Sequence, residues 1–154
     1  MITVEFEEVY SIFFDKVEAY DFLELDDSEI GDMLIRYLKS SFTNPFVRQL
    51  FSTLEVDEDS ESFDFEMSYV IDDSSDKEFV VEVMALGLCI KWLTPKVNSL
   101  IGMNQTYGSK EEKFFSEASH KAEMRNLLNL WKKEQLKLIR DRGYVWNEYL
   151  DGGI

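Results

Sequence analysis

Asp76-Lys77-Glu78-Phe79-Val80-Val81-Glu82-Val83-Met84-Ala85-Leu86-Gly87-Leu88-Cys89-Ile90-Lys91-Trp92-Leu93 is the stretch on which the fold turns. Wound as a helix from Asp76 to about Leu93, it is apolar on nearly every side. A helix of that kind belongs in the middle of a packed set of helices, because no face of it suits water. Its most apolar part, Phe79 to Leu93, is 15 residues long and contains Glu82 and Lys91. That is too short for a membrane span, which needs about 20 apolar residues. The stretch therefore predicts a mainly α chain, a helical bundle, with this helix at its centre.

Downstream, Pro95 is expected to stop or bend the helix, with a short helix near Lys96–Met103 and a loop over Asn104–Gly108. Ser109 and Glu112 have the spacing of a capping box. They open a long last helix from Lys110 to Arg142, with Gly143 as the usual C′ residue. Met124, Leu127, Leu128, Trp131, Leu138 and Ile139 are its buried stripe. At ~1.5 Å per residue it spans about 50 Å, more than a compact globule of this size requires. Part of it is expected to touch something else.

Upstream, Phe63, Phe65, Met67 and Tyr69 alternate with Asp64, Glu66 and Ser68, the period of a strand with one covered face. Its partner is either a strand near Leu54-Glu55-Val56 or another subunit, giving a small β-hairpin or single-strand insertion near 54–70. Residues 55–62 read as an acidic loop, and Asp72-Asp73-Ser74-Ser75-Asp76 as a turn and helix start. A first helix is expected from Thr3 to Tyr20, with Thr3 as N-cap and Phe6, Val9, Phe13 and Val17 as its stripe. A second follows the N-cap cluster Asp26-Asp27-Ser28, with Ile30, Leu34, Tyr37 and Leu38 facing inward. Thr43-Asn44-Pro45 interrupts it, and Phe46–Phe51 forms one more short turn. The expected division is one domain over 1–143 and a C-terminal tail over 144–154.

The 154 residues include 31 acids, 16 bases and one His, a net charge of −15. With 45% hydrophobic and 14% aromatic residues the chain is no solvated acidic tail. One Cys excludes an internal disulfide framework and multi-cysteine zinc sites, and one His excludes multi-histidine clusters. So negative a surface is poorly suited to general nucleic-acid binding or to anionic membranes. The first residues lack the basic start and apolar core of a signal peptide, so the protein is expected in a reducing interior or in a particle assembled there. Charge is uneven: residues 1–90 carry 23 acids and 5 bases, residues 91–154 carry 8 acids and 11 bases. A solvated acidic face explains this blandly. The sharper reading is that two parts of the molecule face different partners.

Catalytic and metal motifs fail on inspection. Glu117-x-x-His120 matches half of a di-iron pair, but no second His exists to complete it. Gly108-Ser109-Lys110 lacks the spacing of a phosphate loop. Asp57-x-Asp59-x-Glu61 starts like a calcium loop, yet Ser62 stands where Gly is needed and Ser68 where Glu is needed. Cys89 lies within the apolar helix, where a thiol is inert. No nucleophile is paired with a base, so neither enzyme activity nor a cofactor is expected. The C-terminus differs: Tyr144, Val145, Trp146, Tyr149, Leu150 and Ile154 make an apolar, aromatic tail. Such a tail can fold back on the bundle, anchor in a neighbour, or add a strand to a partner's sheet edge.

Three blocks carry a resemblance: Tyr20-Asp21-Phe22-Leu23-Glu24-Leu25 leading to Tyr37-Leu38-Lys39-Ser40; Lys91-Trp92-Leu93-Thr94-Pro95-Lys96-Val97-Asn98-Ser99; and Lys113-Phe114-Phe115-Ser116-Glu117-Ala118-Ser119-His120. In order and spacing, from residue 20 to about 140, the chain resembles the head–tail connector (adaptor, or neck) proteins of tailed bacteriophages infecting Gram-positive bacteria. Phe42 to Met67 departs from that pattern. The resemblance implies a virion protein, made in the host cytoplasm, in a closed ring of about twelve copies. It also implies binding to the portal protein above and the head-closure (stopper) protein below, with double-stranded DNA passing through unread. By position, Tyr144 through Ile154 would engage the portal. An acidic channel wall would repel DNA rather than hold it. The rival reading is an acidic inhibitor, a DNA mimic or immunity-type protein, that presents carboxylates to a basic nuclease or DNA-binding protein.

Overall fold

The computed structural model describes residues 1–20, 22–23, 25, 30–103 and 111–145. Their chain order is β1 (Ile2–Glu5), α1 (Phe6–Glu18), α2 (Ile30–Phe42), α3 (Pro45–Arg48), β2 (Phe51–Asp57), β3 (Ser62–Met67), α4 (Asp73–Met103) and α5 (Glu111–Val145). The fold is mainly helical with a small antiparallel sheet of order β1-β3-β2.

α4 is the spine, and α1, α2 and α5 all pack on it. Val80, Val83, Met84, Ala85, Leu86, Leu88, Cys89, Trp92, Leu93 and Val97 are all buried, as all-round hydrophobicity dictates. α1 buries Phe6, Val9, Phe13 and Val17, one stripe at helical spacing. Phe13 meets the edge of Trp92 at 5.9 Å between ring centroids. α5 buries Met124, Leu127, Leu128 and Trp131, with Leu138 and Ile139 half-buried on the same core. Trp131 meets Tyr20 edge-on at 5.9 Å.

The sheet closes one end of this core. Phe63 and Phe65 of β3 point inward and sit among Phe6, Phe42 and Phe51, with centroid separations of 5.0–6.5 Å. The partner left open for this strand lies in the same chain on both sides: Leu54 pairs with Phe65 across β2, and Ile2 pairs with Phe65 across β1. Residues 55–57, expected as loop, belong to β2. The turn narrows to 58–61, where the Asp57 carboxylate accepts from the amides of Asp59 (3.0 Å) and Ser60 (3.3 Å). Tyr69, expected on the strand, lies beyond its end and is exposed.

Three boundaries correct the sequence reading. Residues 2–5 are strand, and α1 starts at Phe6 with Glu5 as N-cap in a capping box with Glu8. Ile2, Thr3 and Val4 are β-branched, and β3 had an open edge; the Thr3 hydroxyl bonds the Asp64 carboxylate across it instead of capping a helix. Pro95 does not end α4, which runs on to Met103. Trp92, Leu93 and Val97 are buried on both sides of the proline, and that burial outweighs its cost of about 3 kcal/mol. The Thr94 hydroxyl donates to the Ile90 carbonyl at 2.6 Å, and the Lys96 ammonium lies 4.9 Å from the centre of the Trp92 ring. Gly143 is not a stop either: α5 continues through Tyr144 to Val145. The Asn44–Pro45 break falls as expected, with the Asn44 side chain accepting from the Phe46 amide. The expected Ser109–Glu112 cap and the Asp26-Asp27-Ser28 cap involve residues outside those described.

Candidate interaction surfaces

Three surface features are built by this packing. The first is the far end of α5. The stripe that faces α4 does not stop at apolar residues: Gln135 and Arg142 continue it at the same spacing. Gln135 is buried and its amide donates to the Val83 carbonyl at 3.0 Å. Arg142 reaches the fully buried Asp76 at 2.6 Å, donates to the Tyr69 carbonyl at 2.8 Å, and lies over the Phe79 ring at 4.8 Å. Asp76 also accepts from the Ile71 amide at 3.2 Å. This clasp ties α5 to the start of α4 and to the segment 68–72. On that segment Tyr69, Val70 and Ile71 are large, apolar and exposed, and so is Tyr144 on the last turn of α5. Beside them a cavity of about 190 Å³ is lined by Gln49, Leu50, Met67, Ile139 and Gly143 as well as Tyr69 and Arg142. Of the residues expected to bind a partner, Tyr144 and Val145 are therefore on the last turn of α5, Tyr144 being 64% exposed. Trp146, Tyr149, Leu150 and Ile154 lie outside the described residues.

The second feature is a depression of about 660 Å³ between α3 and α5, walled by Phe46, Leu136 and Ile139 and rimmed by Lys133, Lys137 and Arg140. Phe46 is 55% and Leu136 47% exposed. Sequence reading missed this face. Its signal was present, because Leu136 falls off the stripe that α5 buries and stands among three bases.

The third is a groove of about 860 Å³ between α1 and the start of α4. Ile12 and Val81 lie at its floor, and Glu5, Glu7, Glu8, Glu78 and Glu82 surround them, with Lys77 as its one base. Lys77 pairs with Glu8 at 3.1 Å, and Lys16 pairs with Glu82 at 2.7 Å from outside the lining. Burial acts to raise the Glu8 carboxyl, but the Glu5 amide and the Lys77 ammonium bring it below its ordinary value. Five of the acids in the N-terminal part of the sequence thus line one groove.

The motifs set aside as chemistry have ordinary places. Cys89 is buried, and burial pushes its thiol up to about 12. The His120 ring packs against Phe22 at 5.7 Å. Hydrogen bonds from the Ser60 hydroxyl, the Ser60 amide and the Asp59 amide occupy Asp57 and lower its pKa. Among the described residues no three His, Cys, Asp or Glu side chains converge as a metal site, and no helix is long and apolar enough to cross a membrane. Compared with known proteins, the chain matches no family profile, no curated protein and no solved structure.

Proposed function

We propose that the protein is a structural virion component, a head–tail connector that forms a ring between the portal and the head-closure protein and lets genome DNA pass. In this reading the helices form a bundle on α4, and the aromatic tail after α5 seats in the portal. The observation that carries it is the far end of α5. A 35-residue helix ends with Tyr144 exposed on its last turn, and at the same end a buried ion pair fixes the segment on which Tyr69, Val70 and Ile71 are exposed. Large apolar side chains left exposed beside a helix end tied down in this way suit docking, because exposed apolar surface often marks an interaction site. The three sequence blocks add the viral setting, and the net charge of −15 suits a wall past which DNA must slide.

The acidic groove gives the rival inhibitor reading its own support, since five carboxylates around an apolar floor could hold a basic protein. One experiment separates the two. Purified chain is incubated with DNA-filled heads that lack it, and separately with basic nucleases, over a range of salt. A connector sediments with the heads and does so less well when Tyr144 is replaced by Ser. An inhibitor ignores the heads and binds a nuclease with affinity that falls steeply with salt.

A further inference from the structure

We propose that the apolar, basic face of α3 and α5 packs against the acidic face that α1 and α4 form on a second copy of this chain. The two surfaces are opposite in charge, and each has an apolar centre. On one, Phe46 and Leu136 stand half in solvent, and Lys133, Lys137 and Arg140 line the same face along α5. On the other, Ile12 and Val81 lie at the bottom of a groove whose margins hold five acids against one base. Lys77 and Lys16 already neutralise Glu8 and Glu82. Glu5, Glu7 and Glu78 therefore supply the charge that an incoming cation meets. On the basic face Arg140 also reaches Asp141 at 3.5 Å, which leaves Lys133 and Lys137 as the principal donors. Burying apolar residues inside a ring of opposite charges is the pattern of a specific interface: the apolar centre supplies affinity and the rim fixes register.

The partner is a second copy because the complementary groove is on the same molecule. The chain is strongly acidic, yet it gathers bases around one exposed apolar patch, and its own α1–α4 face is the surface with the opposite properties. The two linings share no residue, so the contact is heterologous: each copy uses one surface to bind forward and the other to be bound. Such a contact grows into a closed ring or a filament and does not stop at a dimer. The contact rests on the connector reading for its biological purpose; its evidence is the two surfaces.

Charge reversal tests it, and salt alone does not, because salt also screens the mutual repulsion of two acidic molecules. Lys133→Glu with Lys137→Glu reverses the charge of the basic face, and Glu7→Lys with Glu78→Lys reverses that of the acidic face. All four side chains are exposed, so thermal melts should match the parent and verify folding. In light scattering at high concentration the parent should associate beyond a dimer. Each reversed pair alone should be monomeric, and the chain carrying all four changes should associate again. A monomeric parent at millimolar concentration, single-side variants that associate like the parent, or no recovery in the fourfold variant would each overturn the contact. Loading on heads separates this from the connector reading. If the Lys133→Glu, Lys137→Glu variant builds the same collar as the parent, the contact is wrong and the connector reading survives; if the parent builds none, the connector reading itself is contradicted.

Discussion

α4 and α5 are both long, 31 and 35 residues, and their surroundings are opposite. α4 is covered by α1, α2 and α5 and buries side chains on every face. α5 is covered along one stripe, and its other faces carry Leu130, Leu136 and Tyr144 into solvent with a run of bases. Similar helices thus lie in different surroundings: α4 is the buried spine, and α5 leaves apolar side chains in solvent. Stability should concentrate in α4 and assembly in α5, so equal chemical changes should have unequal effects.

The largest loss of stability is expected where the two helices are joined by charge. Arg142→Ala leaves Asp76 buried without its cation, a change that costs about 3–5 kcal/mol; a urea titration reads it. Next, Leu88→Ala in α4 should cost about 2–5 kcal/mol, because the site is fully buried and surrounded. The matched change Leu136→Ala in α5 should stay within about 0.5 kcal/mol. Equal losses at 88 and 136 would break the contrast between the helices.

Gly87→Ala sharpens it. A methyl there would lie 3.0 Å from the Ser41 hydroxyl and 3.3 Å from the Gln135 amide, where α2, α4 and α5 meet. Ser41 is held by its bond to the Tyr37 carbonyl and Gln135 by its bond to Val83, so neither yields freely. Crowding of this kind costs about 1–3 kcal/mol, against about 1 kcal/mol gained in helix propensity. A net loss of about 1 kcal/mol is expected in the same titration.

A further effect is alkaline. Burial holds the Cys89 thiol up to about 12, and burial with the nearby Glu61 charge holds the Tyr10 phenol up to about 12. In the unfolded chain both ionise at their lower ordinary values, so the folded state keeps protons that the unfolded state releases. The stability this contributes is intact below about pH 8.5. It falls as pH rises towards 12, by at most about 1.4 kcal/mol per pH unit for Cys89. Thermal melts from pH 8 to 11 measure it, and thiol reagents at pH 8 should label Cys89 only as the protein unfolds.

What the sequence made legible was periodicity. The stripes of α1, α2 and α5 and the alternation at Phe63, Phe65 and Met67 are read directly, because burial selects residue type at fixed spacing. What it hid was set by distant partners. Ile2–Glu5 is strand because β3 offered an edge 60 residues away. Pro95 stays within α4 because Trp92, Leu93 and Val97 are buried on both sides of it. Gly143 stays helical beside Arg142, whose side chain reaches Asp76. Of the surfaces, the basic face was visible only as Leu136 out of step with its helix. The acidic groove was visible only as a surplus of carboxylates, because two separate helices form its walls.

The proposed connector grips its neighbours at a collar. Electron microscopy of DNA-filled heads lacking the protein, before and after adding the purified chain, tests that most directly. The account predicts a new ring of density at the portal vertex, with α5 pointing its Tyr144 end at the portal. Heads that look the same with and without the chain would contradict it.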